Sequence, residues 1–592
     1  MIYVFRTEEL MFGKKGFFAK ASAKLLMSVL GVNRSNRIYN RIAGRDDYLD
    51  AIMEELHISC DIDSKSLANI PSEGPAIVLF NHPTGIIDGL VALKVCSMVR
   101  SDVKMLGNYI IERVEPLKKY IIPVNPFDNR TGGNLGGLKQ AMQHLSDGGL
   151  LILFPAGEVD TWQDGWHGIR DKRWDRAAIK FISRSGAPIV PAWITARNSV
   201  WFRLAGKIDP RLRTALLCRE IFNKAGKTIP VTIGAPIVAS RLKELTDPEA
   251  YADYLRAMVE YLGGCREKPV RSIAEIEAVH VDLSNITEAP STEILKAEIA
   301  AISEEHKLFD YGDCFSIYCS PPELIPNMMT EIGRMREITF RRIGEGSMNP
   351  LDLDRYDQYY HQMFIWDNSA DTLVGAYRLG LGNQIVPKYG LDGFYTHSLF
   401  NYDEAMKDIL TQTIELGRSF VVSDYQRKPA SLLMLWKGIL YMLLKHDEYR
   451  YLLGPVTISG EFQRSSKTII VTHLRQQNFD DETSRMVHPR TGLDGIDFPI
   501  NPKLIEKVES IGLIDKIVCD IEKDERAIPV LIKKYLQLNS HVLGFNVDHD
   551  FCDALDALML LDLKLMPDSK ILMLSKEIED IDVVARFKTV AE

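Results

Sequence analysis

At 592 residues the chain is too long for one ordinary domain of roughly 100–200 residues. Its 46% hydrophobic and 26% charged content excludes disorder on a large scale. No apolar run reaches the ~18 residues of a membrane-spanning helix. The net charge is −9, and neither a nucleic-acid partner nor a metal site is expected. Eight cysteines without a Cys-x-x-Cys pair read as buried or free thiols in a reducing compartment. Met1–Leu10 contains Arg6, Glu8 and Glu9 and lacks the apolar core of a secretory signal.

Residues 1–45 carry nine basic residues against two acids, interleaved with Phe17, Phe18, Leu25, Leu26, Val29 and Leu30. Such a segment lies on an anionic membrane surface or packs its apolar face on its own domain. Strand-like runs then alternate with helical stretches. The runs are Ala76–Phe80, Tyr120–Val124, Leu150–Phe154, Pro188–Ile194 and Ile229–Ile233; the helices are Gly89–Val99, Leu135–Leu145 and Arg176–Ser185. This alternation predicts an α/β domain over 46–265. Residues 266–290 are charged, hold Pro269 and Pro290, and lack aromatics, which marks a linker. A helix is expected to start at Ser291–Thr292, opening a second α/β region over 291–592. Leu432–Leu444 is apolar but short and contains Lys437, so a buried helix is expected there. No internal repeat relates the two regions.

In the first region, Asn81-His82-Pro83-Thr84-Gly85-Ile86-Ile87-Asp88 follows the strand Ala76–Phe80. The carboxyl ends of strands in open α/β sheets are where ligands bind. A turn between His82 and Asp88 brings the carboxylate onto the imidazole, fixing its tautomer and stabilising its cation. Such a histidine is the general base that an alcohol needs to attack a thioester. Gly85 and Gly89 are expected to allow the tight backbone path. The plainer alternative is a histidine satisfied by an acid in a turn. Two further blocks follow in order, Phe154-Pro155-Ala156-Gly157-Glu158 and Val190-Pro191.

Taken together these blocks resemble the glycerophospholipid (lysophosphatidic acid type) acyltransferases over roughly residues 20–240. The resemblance implies His82 and Asp88 as catalytic pair, and Asn81, Phe154, Pro155, Gly157, Glu158 and Pro191 in substrate binding. The His-to-Asp gap is one residue longer than the family's usual spacing, and Ala156 stands where the family has Glu. These departures look like the branch that acylates aminolipids. Arg130 falls loosely at an acceptor-binding arginine. Arg170, Lys172, Arg173, Arg176 and Lys180 form a basic cluster suited to lipid phosphates, an acidic carrier protein, or plain solvent.

In the second region, charges sit inside apolar runs: Arg336 before Phe340, Asp354 and Asp357, Arg378 within Thr372–Leu379, and Glu415-x-x-Arg418 before Phe420. Buried charge needs partners, so an arginine–carboxylate network beside a pocket is expected, or one that simply holds the fold. This pattern resembles acyl-homoserine-lactone synthases and their relatives, the ornithine N-acyltransferases of the GNAT superfamily, over roughly residues 305–565. Ile528–Leu536 and Asp548-His549-Asp550-Phe551 resemble the ornithine branch. The resemblance implies acyl transfer from a thioester to the α-amine of an amino acid, with ornithine favoured. Asp354, Asp357 and Glu415 are candidates for a cationic side chain, and Glu415 is the guess for the catalytic base. Where acetyl-CoA-using members have a Gly-rich loop, this chain reads Tyr425–Ala430, without glycine. Arg427 and Lys428 are placed to meet a single phosphopantetheine phosphate, which favours acyl carrier protein over coenzyme A.

The expected fold class is therefore two unrelated α/β acyltransferase domains. No bound cofactor is expected; the donor is an acyl thioester on the 4′-phosphopantetheine of acyl carrier protein, or acyl-CoA. The fusion resembles bifunctional ornithine lipid synthases, cytoplasmic and peripheral on the inner face of the cell membrane. The alternatives are a lysophospholipid acyltransferase with a degenerate second domain, and a non-catalytic lytic or lipid-binding protein.

Overall fold

The computed structural model describes residues 31–124, 135–164, 168–170, 174–202, 210–243, 245–264, 282–302, 304–343, 345–426, 429–493, 508, 510–522, 526–549, 553–575 and 583–588. The chain divides into two compact units, residues 1–268 with 499–504, and residues 269–498 with 505–592.

The first unit is built on a seven-stranded sheet. Its strands are β1 (Ser59–Asp61), β2 (Ala76–Phe80), β3 (Val103–Asn108), β4 (Ile121–Val124), β5 (Leu150–Leu153), β6 (Ile189–Ile194) and β7 (Thr228–Ile233), in the order β1-β7-β6-β2-β5-β3-β4. All neighbours are parallel except β6 and β7. Every residue of β2 is buried, as a central parallel strand covered on both faces requires. Ile77 to Phe80 pair with Ile189 to Ala192 on one side, and Ala76 to Leu79 with Leu150 to Leu153 on the other. The turn after β2 passes through Gly85 at φ 94° and starts α3 (Ile86–Ser97). A Cβ on Gly85 would stand 2.7 Å from Leu217 Cδ2, so glycine is needed both for the angle and for the space. Gly89 does not shape the turn as expected: it lies within α3, facing the Met105 side chain.

Among the described residues two helices precede β1: α1 (Val32–Ile42) and α2 (Tyr48–Leu56). Val32, Ile38, Tyr39 and Ile42 of α1 are buried, the last three within the unit's core. This helix is the described part of the expected membrane-surface segment 1–45. The apolar face of Val32–Ile42 is spent on its own domain, and Arg34 sits over the Phe222 ring at 4.4 Å. Residues 1–30 of that expected segment lie outside the described residues.

The second unit holds an eight-stranded sheet. Its strands are β8 (Lys307–Tyr311), β9 (Phe315–Ser320), β10 (His361–Asp367), β11 (Thr372–Leu381), β12 (Thr413–Val421), β13 (Tyr451–Ile458), β14 (His541–Asp548) and β15 (Ala554–Asp562), in the order β8-β9-β10-β11-β12-β13-β15-β14. The one parallel neighbour pair, β12 with β13, runs only from Thr413–Tyr451 to Glu415–Leu453. Beyond that register β13 stays paired with β15, and β12 with β11. Gly454 marks the join, since a Cβ there would meet the Leu416 carbonyl oxygen at 2.5 Å. The helix expected at Ser291–Thr292 is Thr292–Ala301, capped by the Ser291 side chain accepting from Ile294 N. Of the linker expected at 266–290, residues 266–281 lie outside the described residues. Residues 282–290 bond to the second unit: Arg341 donates to Asn285 Oδ1 at 2.7 Å, and Thr287 N to the Pro350 carbonyl at 3.2 Å.

The apolar stretch Leu432–Leu444 lies in the helix Pro429–Lys445, with Lys437 buried. Among the described residues no helix is long and apolar enough to cross a membrane.

Candidate functional site

Each unit carries its own constellation. In the first, His82 leaves the carboxyl end of the central strand β2 and Asp88 sits in the first turn of α3. His82 Nδ1 lies 3.0 Å from Asp88 Oδ2. Asp88 is fully buried, yet its carboxylate accepts from Thr84 N and Gly85 N, both at 2.7 Å, and from the Thr84 hydroxyl. Each of these contacts uses the carboxylate as an acceptor. Nδ1 of His82 therefore carries the proton facing Asp88, and the basic nitrogen of the ring is Nε2. Phe154 packs on the imidazole with ring centroids 4.5 Å apart.

The other expected residues divide. Phe154 and Pro155 leave the end of β5, and Gly157 turns the chain at φ 64° with its N–H returned to the Phe154 carbonyl at 3.0 Å. Glu158 is exposed just beyond. Asn81 is not turned to a ligand: its Oδ1 accepts from Ile194 N at 2.7 Å and its Nδ2 donates to the Ile194 carbonyl at 3.1 Å. It ties the ends of β2 and β6 together. Pro191 is buried within β6, against the gap left by Gly234, and so supports the sheet. Arg130, Lys172 and Arg173 lie outside the described residues, and Arg176 pairs with Glu249 at 3.0 Å.

In the second unit the expected charge network is present. Arg336, on α9 (Pro326–Arg341, where α4 to α8 are Leu135–Ser146, Arg176–Ser185, Pro210–Asn223, Pro248–Gly264 and Thr292–Ala301), and Arg378, on β11, are both fully buried. Arg336 Nη1 reaches both oxygens of Asp357 at 3.2 Å. Arg378 Nη1 reaches Asp357 at 3.1 Å and Asp354 at 2.7 Å. Gln362 donates to Asp357 at 3.0 Å and accepts from Arg336 at 3.3 Å. Burial pushes the Asp357 carboxyl up, and the two guanidiniums more than offset this, holding it below the usual carboxylate range. Arg378 also stacks against the rings of Tyr356, Tyr360 and Tyr395, 5.2–5.7 Å from their centroids.

Arg418 sits at a bulge of β12 with φ 52°. It lies 5.5 Å from the centroid of Tyr395 and 6.0 Å from that of Phe340, with Asp352 at 3.7 Å and Asp354 at 3.9 Å. Glu415 is buried and accepts from Tyr395 N at 3.0 Å, Thr396 N at 2.7 Å and the Tyr360 hydroxyl. Those donors occupy both oxygens, so the geometry does not favour the base role expected of Glu415; it anchors the Tyr395–Thr396 turn. Asp354 and Asp357 are likewise engaged with arginines rather than open to a cationic side chain. Arg427 and Lys428, like Asp550 and Phe551, lie outside the described residues.

Two acids that sequence reasoning passed over stand close to Arg418. Glu345, just beyond α9, is held by its N–H donating to the Phe340 carbonyl at 2.8 Å, and its carboxylate makes no hydrogen bond or ion pair among the described residues. Burial, with Asp556 and Glu461 nearby and Arg418 opposing, pushes its carboxyl up to about 7. Asp556, on β15, accepts from the Thr457 hydroxyl at 2.8 Å. Its carboxyl is pushed up to about 6 by burial and by Asp548, against the pull of Thr457 and Arg418. Among the described residues, no group of three or more His, Cys, Asp or Glu is placed to hold a metal ion.

Residues 335–437 match the acetyltransferase (GNAT) domain family, a span that contains Glu345 and all seven expected residues from Arg336 to Arg418. Over 281 residues the chain is 31% identical to a glycine N(alpha)-acyltransferase of Phocaeicola vulgatus, covering 44% of this chain and 84% of that protein. The chain belongs to the glycine N(alpha)-acyltransferase family. A protein so described from Bacteroides thetaiotaomicron is 29% identical over 296 residues, covering 46% of this chain and 83% of its own. A lyso-glycine lipid O-acyltransferase of the same organism is 27% identical over 221 residues, covering 36% of this chain and 78% of that protein. The protein is an acyltransferase, and two separate proteins of one organism each resemble it.

The raised carboxyls carry a consequence for stability. An acid whose folded value lies above its ordinary 4.5 binds protons more tightly when folded, so stability falls as pH rises through about 4.5 to 7. Glu345→Gln is expected to stabilise the protein at pH 8 by about 1–3 kcal/mol, with the gain fading below pH ~4.5. Urea midpoints of parent and variant across pH measure this; a gain independent of pH contradicts it.

Proposed function

We propose that the chain makes a two-chain aminolipid by two acyl transfers, N-acylation of an amino acid in the second unit and then O-acylation of the product in the first. The observation that carries it is the His82–Asp88 contact at the end of the central strand, on one chain with a GNAT-matched unit. An N-acylation that uses a 3-hydroxyacyl donor creates the hydroxyl that the first unit esterifies. The likeness to separate N- and O-acylating proteins of one organism supports the same order.

For the O-acylation, Asp88 holds the imidazole with Nδ1–H toward it, and Nε2 accepts the proton of the hydroxyl. The oxygen bonds to the thioester carbonyl carbon, the C–S bond breaks, and the thiolate takes the proton from the imidazolium. For the N-acylation, the acceptor's ammonium first loses a proton. Its nitrogen then bonds to the thioester carbon, the C–S bond breaks, and a second nitrogen proton leaves with the thiolate as thiol. Glu345, with Asp556 beside it, replaces Glu415 as our choice of proton acceptor. Its carboxylate, unlike those of Asp354, Asp357, Glu415 and Asp556, has no hydrogen-bond donor among the described residues.

Glycine is the acceptor this reading favours, from the relatives' printed names and because Asp354 and Asp357 are engaged with arginines. Ornithine is the second reading, favoured by the Glu345–Asp556 pair, which suits a second ammonium. The absence of glycine in Tyr425–Ala430 supports a carrier-protein donor. A peripheral place on the cytoplasmic membrane face is part of the same proposal. The arginine network gives no support to a degenerate second domain.

Three outcomes test the reading. His82→Ala, expressed in a host without aminolipids, leaves a one-chain N-acyl amino acid and no two-chain product by mass spectrometry, which also names the acceptor. Unchanged two-chain lipid would falsify the O-acylation site. Purified protein turns over 3-hydroxyacyl carrier-protein thioesters faster than the CoA thioesters in a thiol-release assay, and the reverse preference refutes the donor. N-acylation weakens as pH falls through 7 to 6, because the acceptor carboxylates become protonated. Asp556→Asn removes a repelling charge from Glu345 and moves that acid limb to lower pH; an unmoved limb removes the pair from the mechanism.

A further inference from the structure

A cavity of about 400 Å³ in the first unit lies between α6 (Pro210–Asn223) and the segment that follows β6. Arg197, Arg219, Lys224 and Lys227 line it against one acid, Glu220. That acid is already engaged: it accepts from Ser199 N at 3.0 Å, from the Ser199 hydroxyl at 2.5 Å, from Asn223 at 2.8 Å and from Lys224 at 3.2 Å. Arg197, Arg219 and Lys227 have no ion-pair partner among the described residues. The cavity is therefore a concave wall of positive charge whose internal acid is spent, and its electrostatic complement is an anion.

The wall is continuous with the catalytic turn. Lys224 Nζ donates to Asn198 Oδ1 at 3.3 Å, and Asn198 Nδ2 donates to the Thr84 carbonyl at 3.4 Å. Thr84 N in turn donates to Asp88. Lys224 is buried and lies within electrostatic reach of Asp88. At the rim, Trp201 is 74% exposed beside the exposed Val200. An exposed indole beside cations suits a ligand with a charged head and an apolar tail.

We propose that this cavity holds the anionic group of a substrate of the His82 site and so positions that substrate for O-acylation. The proposal rests on the O-acylation reading above. N-acylation of an α-amine consumes the amine and leaves the amino acid's carboxylate, so the lyso-lipid acceptor enters the first unit as an anion. The other anion brought to the same reaction is the phosphate of a phosphopantetheine donor. Both are oxyanions that a guanidinium grips by paired N–H groups.

The test measures esterification of N-(3-hydroxyacyl)glycine by the full-length chain, varying acceptor and donor separately. Arg197→Gln and Arg219→Gln change exposed side chains, and the thermal unfolding of the full-length chain, followed by circular dichroism, reports that each variant is otherwise sound. A rise of roughly tenfold in the acceptor KM, with kcat little changed, is expected. An acceptor whose carboxylate is replaced by a carboxamide has a raised KM with the parent chain and loses nothing further in the variants. A rise confined to the donor KM also supports an anion site and gives it to the donor's phosphate. Unchanged KM values for both substrates overturn the proposal. A parent chain that esterifies no such acceptor takes down both the cavity and the O-acylation reading, whereas an active parent with unaltered variants removes the cavity alone.

Discussion

Asp357 serves two buried guanidiniums at once, and the second unit's site is arranged around that fact. Arg336 comes from a helix and Arg378 from a strand, and neither is exposed to water. Losing the carboxylate would strand two cations, at about 3–5 kcal/mol for a broken buried pair. The network thus fixes the helix α9, the Asp354–Asp357 turn and the strand β11 relative to one another. Arg378 is in turn held over three tyrosine rings, one of which, Tyr395, belongs to the turn that Glu415 anchors. Arg418 stands against the same ring. Charge satisfaction and site geometry are one constraint here.

The first unit solves the same difficulty without a permanent cation. Asp88 is as deeply buried as the arginines, but its donors are two backbone N–H groups, a hydroxyl and an imidazole. Three of those four are neutral and supplied by the turn itself. The imidazole is then the one partner of Asp88 that, by its nature, can carry or lose a charge, which an arginine cannot.

Much of this was legible from residue order, for reasons that differ by element. Ala76–Phe80 is an unbroken apolar run, and a strand buried on both faces needs one, so its limits were plain. Val103–Asn108 was missed because Lys104, Gly107 and Asn108 interrupt it on the half-buried side near the sheet's edge. Arg378 and Glu415 were visible as charges within apolar strands. Their partners were not, since pairing depends on which strands adjoin: Glu415 meets Tyr360 and the Tyr395 turn only because β12 lies beside β11. Glu345 and Asp556 are 211 positions apart in the chain. Asp556 does stand out once noticed, as an acid in the middle of Ala554–Leu561, the same signal that exposed Arg378. The Ile38, Tyr39 and Ile42 stripe was also apparent, but periodicity alone does not say whether lipid or protein covers it.

The short register between β12 and β13 makes the second sheet two sheets mechanically. Five strands from β8 to β12 pair antiparallel in chain order, and β13, β15 and β14 pair antiparallel among themselves; only the three residue pairs from Thr413 to Glu415 join the two sets. Beyond Leu416 no ladder ties β12 to β13, so backbone pairing does not set their separation there, whereas Asp357 ties β11 to α9 through side-chain charge. Backbone pairing and buried charge thus hold different parts of a single layer.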